Sequence, residues 1–352
     1  MYLTTPTKFY KWRHANLLKK FIGVLPQPYS SLDSSRITVL LFSLSGLQLI
    51  NELNRILPEE RLKIIDWIYK LQVTPKDGVP PDFYGFRGSF MSKTNSETGK
   101  EIINEYESAN IAQTYSALCC LLLLGDDLKR VDRDAILTSV KLCQQEDGSF
   151  TAFSNKSEND MRFVFCAASI CYILNDFSYI DSDKTCQFIR KCFNYDGGFG
   201  QLPRLESHGG SSYCAVASLA LFSHLWDESV LNRRDLEKLK RWALMKQEKG
   251  FHGRVNKPDD TCYAFWIGAI LSMLNAENLV DKPLLRKFIF STQDLRIGGF
   301  AKYEDSEPDI LHTYFGIAAL SIFNEPDVGA IHPALNLPMA AFEHLSRLNR
   351  RS

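Results

Sequence analysis

The sequence has no excess of charge of either sign. Its 41 lysines and arginines balance 41 aspartates and glutamates, a formal net charge of +0. A balanced chain builds no long-range field to gather nucleic acid or an anionic bilayer, so binding driven by overall charge is excluded. A local basic pocket stays open. Long apolar runs are missing as well. The most apolar stretches, such as residues 118–124, are short and end in glycine or charge, well below the ~20 residues that span a bilayer. Residues 1–30 lack the basic start, apolar core and small-residue cleavage site of a secretory leader. The cysteines number nine, an odd count, and Cys119, Cys120, Cys166, Cys171 and Cys214 sit in apolar runs. Buried free thiols in a reducing compartment fit this better than a disulfide framework. The expectation is a soluble, cytoplasmic chain with no nucleic-acid partner and no membrane span.

Hydrophobic residues make up 45% of the 352 positions, ample for a large core. A glycine–phenylalanine punctuation recurs at Gly85-Phe86, Gly148-Ser149-Phe150, Gly197-Gly198-Phe199, Gly250-Phe251 and Gly298-Gly299-Phe300. Its phenylalanines lie 64, 49, 52 and 49 residues apart. Gln145, Gln247 and Gln293 precede three of the copies, and Gln72 is a candidate for the first. Between the marks, segments apolar on all sides (37–50, 111–124, 162–174, 213–226, 262–274 and 312–323) alternate with amphipathic ones (60–72, 133–145, 183–193, 235–247 and 282–293). A helix that is apolar all round must be buried, whereas one with a charged face meets solvent. Repeats of this length usually stack into open solenoids. An open superhelix would here expose a concave face of bare leucine and phenylalanine. The pattern therefore predicts an all-α fold, an α-α barrel (toroid) of about six helical hairpins with inner and outer helix rings. Residues 1–352 are taken as one domain, with 1–34 an N-terminal extension and 75–107 a polar insertion read as a surface loop.

The polar residues of the apolar helices share one phase. Arg162 opens one helix, His208-Gly209-Gly210 precedes the next, Asp260 and Cys262 open the fifth and His312 opens the sixth. Cys166, Cys214 and Cys262 recur 48 apart and His312 follows 50 later. Residues at one phase of a closed repeat lie at one height and face one mouth of the barrel. Asp, Cys and His all ligate zinc, and three protein ligands leave a fourth position open, as in catalytic sites. Taken singly, Asp260 is an ordinary N-cap, Cys262 a small buried hydrophobe and His312 a structural histidine; their shared phase favours a joint site. Arg254, Lys257 and Tyr263 flank Asp260. A cation pair in a loop is usually just solvated, but beside converging helix N-termini it suits a diphosphate. Trp266, Phe265, Phe42, Tyr115 and Tyr314 are either core or walls of an apolar cavity.

These residues closely resemble the β subunits of the protein prenyltransferases, over nearly the whole chain from about Ser35 to Asn336. The run 253–266, Gly-Arg-Val-Asn-Lys-Pro-Asp-Asp-Thr-Cys-Tyr-Ala-Phe-Trp, looks like that family's zinc and diphosphate motif. Glu206-Ser207-His208-Gly209-Gly210 looks like its second diphosphate element, and Asp309-Ile310-Leu311-His312 like its third-ligand region. The resemblance implies zinc on Asp260, Cys262 and His312; diphosphate on His208, Arg254, Lys257 and Tyr263; and an isoprenoid wall including Trp266.

Within that family, Thr38 and Leu311 stand where farnesyltransferases carry tryptophan and tyrosine, and Lys302 where they carry a magnesium-binding aspartate. Together they resemble the branch that transfers geranylgeranyl to CaaX proteins. Thr38, with Phe42, would leave room for the longer chain. Lys302 would take over charge neutralisation at the diphosphate, so no magnesium requirement is expected. Glu158, Arg162 and Leu311 would meet the peptide, the first two through water. Asn110 departs from the family, which often has histidine there. The resemblance further implies zinc-dependent transfer from geranylgeranyl diphosphate to a C-terminal CaaX cysteine, X preferably leucine. It implies a heterodimer with a separate prenyltransferase α subunit, and clients such as Rho-family small GTPases. The rival expectations are a farnesyl or Rab-specific geranylgeranyl enzyme, a terpene cyclase and a non-catalytic helical-ring scaffold. A cyclase of the protonating kind needs an Asp-x-Asp-Asp cluster, which Asp259-Asp260 does not supply.

Overall fold

The computed structural model describes residues 8–90, 109–154 and 157–350. In chain order its α-helices are α1 (Lys11–Lys20), α2 (Arg36–Leu49), α3 (Pro58–Lys70), α4 (Ile111–Leu123), α5 (Arg133–Cys143), α6 (Met161–Ile173) and α7 (Ser182–Cys192). There follow α8 (Gly209–Leu221), α9 (Arg233–Leu244), α10 (Thr261–Met273), α11 (Lys282–Ser291), α12 (Ile310–Ile322) and α13 (Met339–Asn349). The even-numbered helices from α2 to α12 are the apolar set. Each packs on the next, and α12 returns to pack on α2. The inner ring is therefore closed, as the burial argument predicts. Among the described residues no helix is long and apolar enough to cross a membrane. All nine cysteines are free, and Cys262 alone is partly exposed.

Local chemistry sets the helix starts. Asn110, Asp160, His208, Asp260 and Asp309 cap the inner helices α4, α6, α8, α10 and α12, each side chain accepting from a backbone N–H of the first turn. Asp132, Asp181, Asn232 and Asp281 do the same for α5, α7, α9 and α11. Such a cap satisfies a donor that the helix itself leaves unpaired. Helix α8 starts four residues earlier than its apolar pattern suggests. Its two glycines are not a break: the imidazole of His208 accepts from the Gly210 and Ser211 amides and pulls them into the first turn.

The punctuation is a staple. Phe86, Phe150, Phe199, Phe251 and Phe300 are all fully buried. Each forms a short antiparallel bridge with the end of the preceding outer unit, at Gln72, Gln144, Phe193, Gln247 and Gln293. The glutamine side chains then grip the backbone at the start of the next outer helix. Gln144 donates to Asp181 O and accepts from Asp181 N, both at 2.8 Å. Gln247 grips Asp281 in the same way at 3.0 Å. In the second copy the working glutamine is thus Gln144, whereas Gln145 turns back to Cys143 O.

The last staple identifies the sixth outer helix. Gln293 donates to Lys8 O at 3.1 Å and accepts from Tyr10 N at 3.2 Å, so α1 takes the place that α7 and α11 take elsewhere. Glycine is required on both sides of this comparison. Gly148 and Gly298 have φ of 89° and 81°, and an added Cβ would come within 2.1 Å of Lys184 O in α7 or 2.5 Å of Arg13 O in α1. His14 locks α1 in place. It is stacked on Phe300, its Nε2 lies 2.8 Å from Gln293 Oε1, and its Nδ1 accepts from Gly299 N at 2.8 Å. Of the 1–34 extension and the 75–107 insertion, residues 1–7 and 91–107 lie outside the described residues.

A C-terminal turn reaches into the ring. Tyr115, Tyr213 and Tyr314 occupy the same helical position in α4, α8 and α12. Their hydroxyls donate to Leu335 O (2.7 Å), Pro333 O (2.9 Å) and Asn336 O (3.1 Å). Tyr314 and Phe265 have no exposed surface and Tyr115 only 6%. Of the two readings left open for these three, core or cavity wall, their burial favours core, with Tyr115 and Tyr314 also anchoring the turn. Trp266 and Phe42 remain partly open.

Candidate active site

The N-termini of α10 and α12 are tied together. Thr261 Oγ1 donates to Ala301 O at 2.7 Å, and Thr261 N to Lys302 O at 3.1 Å. This brings Asp260, Cys262 and His312 into one cluster whose possible ligand atoms all lie within 4.8 Å of one another. Asp260 Oδ1 is 3.3 Å from His312 Nε2. That is about the edge of a tetrahedron built on bonds of about 2.0–2.1 Å. Behind His312, Asp309 Oδ2 sits 2.6 Å from Nδ1. A carboxylate in that position fixes the ring and aims Nε2 forward, as it does for metal-bound histidines. Asp309 was not singled out from sequence, although a capping Asp three residues before a histidine is its visible trace.

Electrostatics mark the cluster as a cation site. Burial pushes the Cys262 thiol well above its ordinary range, and the Asp260 charge adds to this. Burial would lower His312, but hydrogen bonds to Asp260 and Asp309 outweigh it and raise it to about 9. Burial would raise Asp260, but its bonds to His312 and Cys262 bring it below the usual carboxylate range. Two carboxylates thus hold one positive charge between them, which an imidazolium or a bound metal ion can supply.

The groups assigned to an anion are of two kinds. Arg254 and Lys257 are exposed. Lys302 Nζ lies 3.7 Å from Asp260 Oδ2 over the Tyr303 ring, so it stands at the edge of the Asp260–Cys262–His312 cluster. His208 differs from these cations. Burial, then the nearby Arg254 charge, lowers its pKa. Its Nδ1 is engaged by the α8 amides, so the proton belongs on Nε2, 2.9 Å from Tyr263 Oη. His208 is therefore a neutral cap whose N–H donates to Tyr263 and turns the phenolic O–H outward as a donor. The amides opening α8, α10 and α12 donate to capping side chains of their own chain, so an anion here meets side chains rather than helix ends.

Below this level Trp266 and Phe42 frame the ring interior. Trp266 contacts Phe315 at 4.2 Å and Tyr213 at 4.8 Å between centroids. Phe42 contacts Phe315 at 5.6 Å. Thr38, one turn before Phe42, bonds Gln113 Oε1 at 3.0 Å and approaches Ser116 Oγ at 3.2 Å. Across the mouth, Arg162 bonds Glu158 at 3.1 Å and binds Asp160 through Nε and a terminal nitrogen. Asp160 is 2% exposed and also accepts from Gln201 at 2.6 Å. It was missed in the sequence because it reads as one more N-cap. Leu311 is 37% exposed beside His312. Asn110 caps α4.

A closed α-α ring with an Asp-Cys-His cluster at one mouth defines the class. The profile of the prenyltransferase alpha-alpha toroid domain matches residues 9–337, and the chain belongs to that family. The geranylgeranyl transferase type-1 subunit beta of Arabidopsis thaliana is 38% identical over 95% of this chain and 90% of that protein. Its Dictyostelium discoideum counterpart is 37% identical over 93% and 94%. The solved structure of Candida albicans protein geranylgeranyltransferase-I complexed with GGPP superposes with a TM-score of 0.86 at 25% identity, over 97% of this chain and 99% of that one. The all-α toroid, the prenyltransferase class and the likeness to the type-1 geranylgeranyl β subunits are thereby borne out.

Proposed function

We propose that this chain is the catalytic β subunit of a heterodimer that transfers geranylgeranyl from geranylgeranyl diphosphate to a C-terminal CaaX cysteine, X preferably leucine. The observation that carries this is the placement of a three-ligand cluster beside an anion cradle, both above aromatic walls. The likeness to type-1 β subunits over the whole ring supports the donor and the need for an α subunit.

Asp260, Cys262 and His312 would hold zinc; their oxygen, sulfur and nitrogen donors suit that ion. When bound, zinc supplies the positive charge that keeps a substrate thiol ionised at neutral pH. The chain's own residues do the rest. Arg254, Lys257, Lys302 and the Tyr263 hydroxyl face the diphosphate, with His208 orienting that hydroxyl. Charge grows on the diphosphate as the C1–O bond breaks, and preformed cations there lower the barrier. The sulfur–C1 bond forms, diphosphate leaves with the electron pair, and the thiol proton goes to solvent. The ammonium of Lys302, at the edge of the metal cluster, takes the part a magnesium ion would play. Trp266 and Phe42, with the small side chain of Thr38 leaving room for the longer chain, hold the isoprenoid and keep water from the allylic carbon. Glu158, Arg162 and Leu311 lie where a peptide terminus enters, Arg162 being held there by Asp160. The clients would be CaaX proteins such as Rho-family small GTPases, in the cytoplasm.

The test is direct competition. The protein is purified with an α subunit and given equal geranylgeranyl and farnesyl diphosphates, without magnesium, and peptides ending in leucine or serine. Geranylgeranyl on the leucine peptide is the expected product. Predominant farnesyl transfer, or activity only with added magnesium or an escort protein, would contradict the assignment.

A further inference from the structure

The loop 253–258 carries Arg254 and Lys257 and leads into Asp260. Its two ends are His252 and Asp259. Asp259 Oδ2 accepts from the backbone of Lys249 at 2.9 Å and Gly250 at 2.8 Å, ten and nine residues away. Its other oxygen, Oδ1, is buried without a hydrogen-bond partner, and so is His252 Nδ1. These two atoms face each other at 3.6 Å. The backbone narrows here too: His252 N donates to Lys246 O, Asp260 N to Phe251 O, and Gly209 N to Gly253 O at 2.8 Å. A buried polar group left unpaired carries an uncompensated desolvation cost, so two facing each other are an incentive to pair. An approach of a few tenths of an ångström suffices.

We propose that His252 and Asp259 form a clasp across the neck of this loop, His252 Nδ1–H donating to Asp259 Oδ1, and that the clasp positions Arg254 and Lys257 for the diphosphate. Neither residue touches the substrate or the metal; both are positioning residues. The inference rests on the proposed function for its purpose, but the clasp itself is a statement about the loop. Arg254 and Lys257 are long, exposed side chains. Their use in binding depends on where the loop carries them, and small displacements of binding groups are costly.

The test compares the parent heterodimer with Asp259→Leu, His252→Phe and Asp259→Asn. Asparagine keeps an oxygen for the two amides and offers an N–H to the other tautomer of His252, so it should rescue. Trypsin reports on the loop without reference to activity, because it cuts after Arg254 but not between Lys257 and Pro258. Cleavage after Arg254 is expected to quicken about tenfold or more in the leucine and phenylalanine variants and to stay near parent in asparagine. In the same two variants KM for geranylgeranyl diphosphate should rise about tenfold, while KM for the peptide and the zinc content hold. Parent-like cleavage and diphosphate KM in both variants overturn the clasp. If the leucine variant does not fold, the phenylalanine and asparagine variants decide alone. A parent that does not turn over geranylgeranyl diphosphate sinks the proposed function, while its cleavage rates still judge the clasp.

Discussion

At Cys262 and His312 the protonation states oppose metal binding and also identify it. Without a metal ion, His312 titrates at about 9 and the Cys262 thiol sits far above its ordinary range. At pH 7 both therefore carry a proton, one on nitrogen and one on sulfur. A metal needs the neutral imidazole and the thiolate, so binding should release two protons, one from each. Affinity should fall as pH drops. Calorimetric zinc titration in buffers of different ionisation enthalpy counts them; release of none would mean that these two side chains are not the ligands. Thr38 is the second informative residue. Its hydroxyl is braced by Gln113 and Ser116, and its small side chain lies one turn from Phe42. Thr38→Trp should crowd the isoprenoid wall beside Phe42 and shift preference toward farnesyl diphosphate. An unchanged donor ratio in a competition assay would refute the pocket.

At the scale of elements, α1 is the least expected part. It is a sixth outer helix held by a neutral, buried histidine. Burial lowers His14 to about 4, against the pull of its bond to Gln293. The unfolded chain, titrating near 6.5, binds this proton first. Stability tied to His14 is thus complete above about pH 6.5 and lost as pH falls toward 4, by up to about 3 kcal/mol. Urea unfolding of the parent and of His14→Gln across that window should show a steeper loss in the parent. Equal slopes would contradict the assignment. Why α1 escaped the sequence is plain from its composition. Lys11–Lys20 is short and basic, with only His14, Ala15, Leu17 and Leu18 buried, and no glycine–phenylalanine mark precedes it. The inner helices were legible because they are apolar on every side. Their starts were less so: His208-Gly209-Gly210 looks like a break until the imidazole is seen capping the glycines. Helix α13 and the turn that the three tyrosines grip carry no repeat signature either.

At the scale of the whole molecule, closure does the work of bringing distant positions together. Asp260 and His312 lie 52 residues apart in sequence but 3.3 Å apart in space, because adjacent inner helices share one height. The convergence of Asp260, Cys262 and His312 was legible for that reason: one phase of a closed repeat is one mouth. Residues acting through others were not. Asp160 and Asp309 carried no role of their own in the sequence, and only the fold shows them gripping Arg162 and His312. The floor was equally hidden, since Tyr115, Tyr213 and Tyr314 are indistinguishable from core aromatics until their hydroxyls meet residues 333–336. What the ring places at its mouth is the claim everything else serves. The sharpest test substitutes Cys262→Ala in the heterodimer and measures zinc per chain alongside geranylgeranyl transfer to a CaaX peptide. Zinc and transfer should disappear together while the helical signal and thermal unfolding stay close to the parent. A folded alanine variant that keeps its full zinc content and transfers at the parent rate would contradict the account.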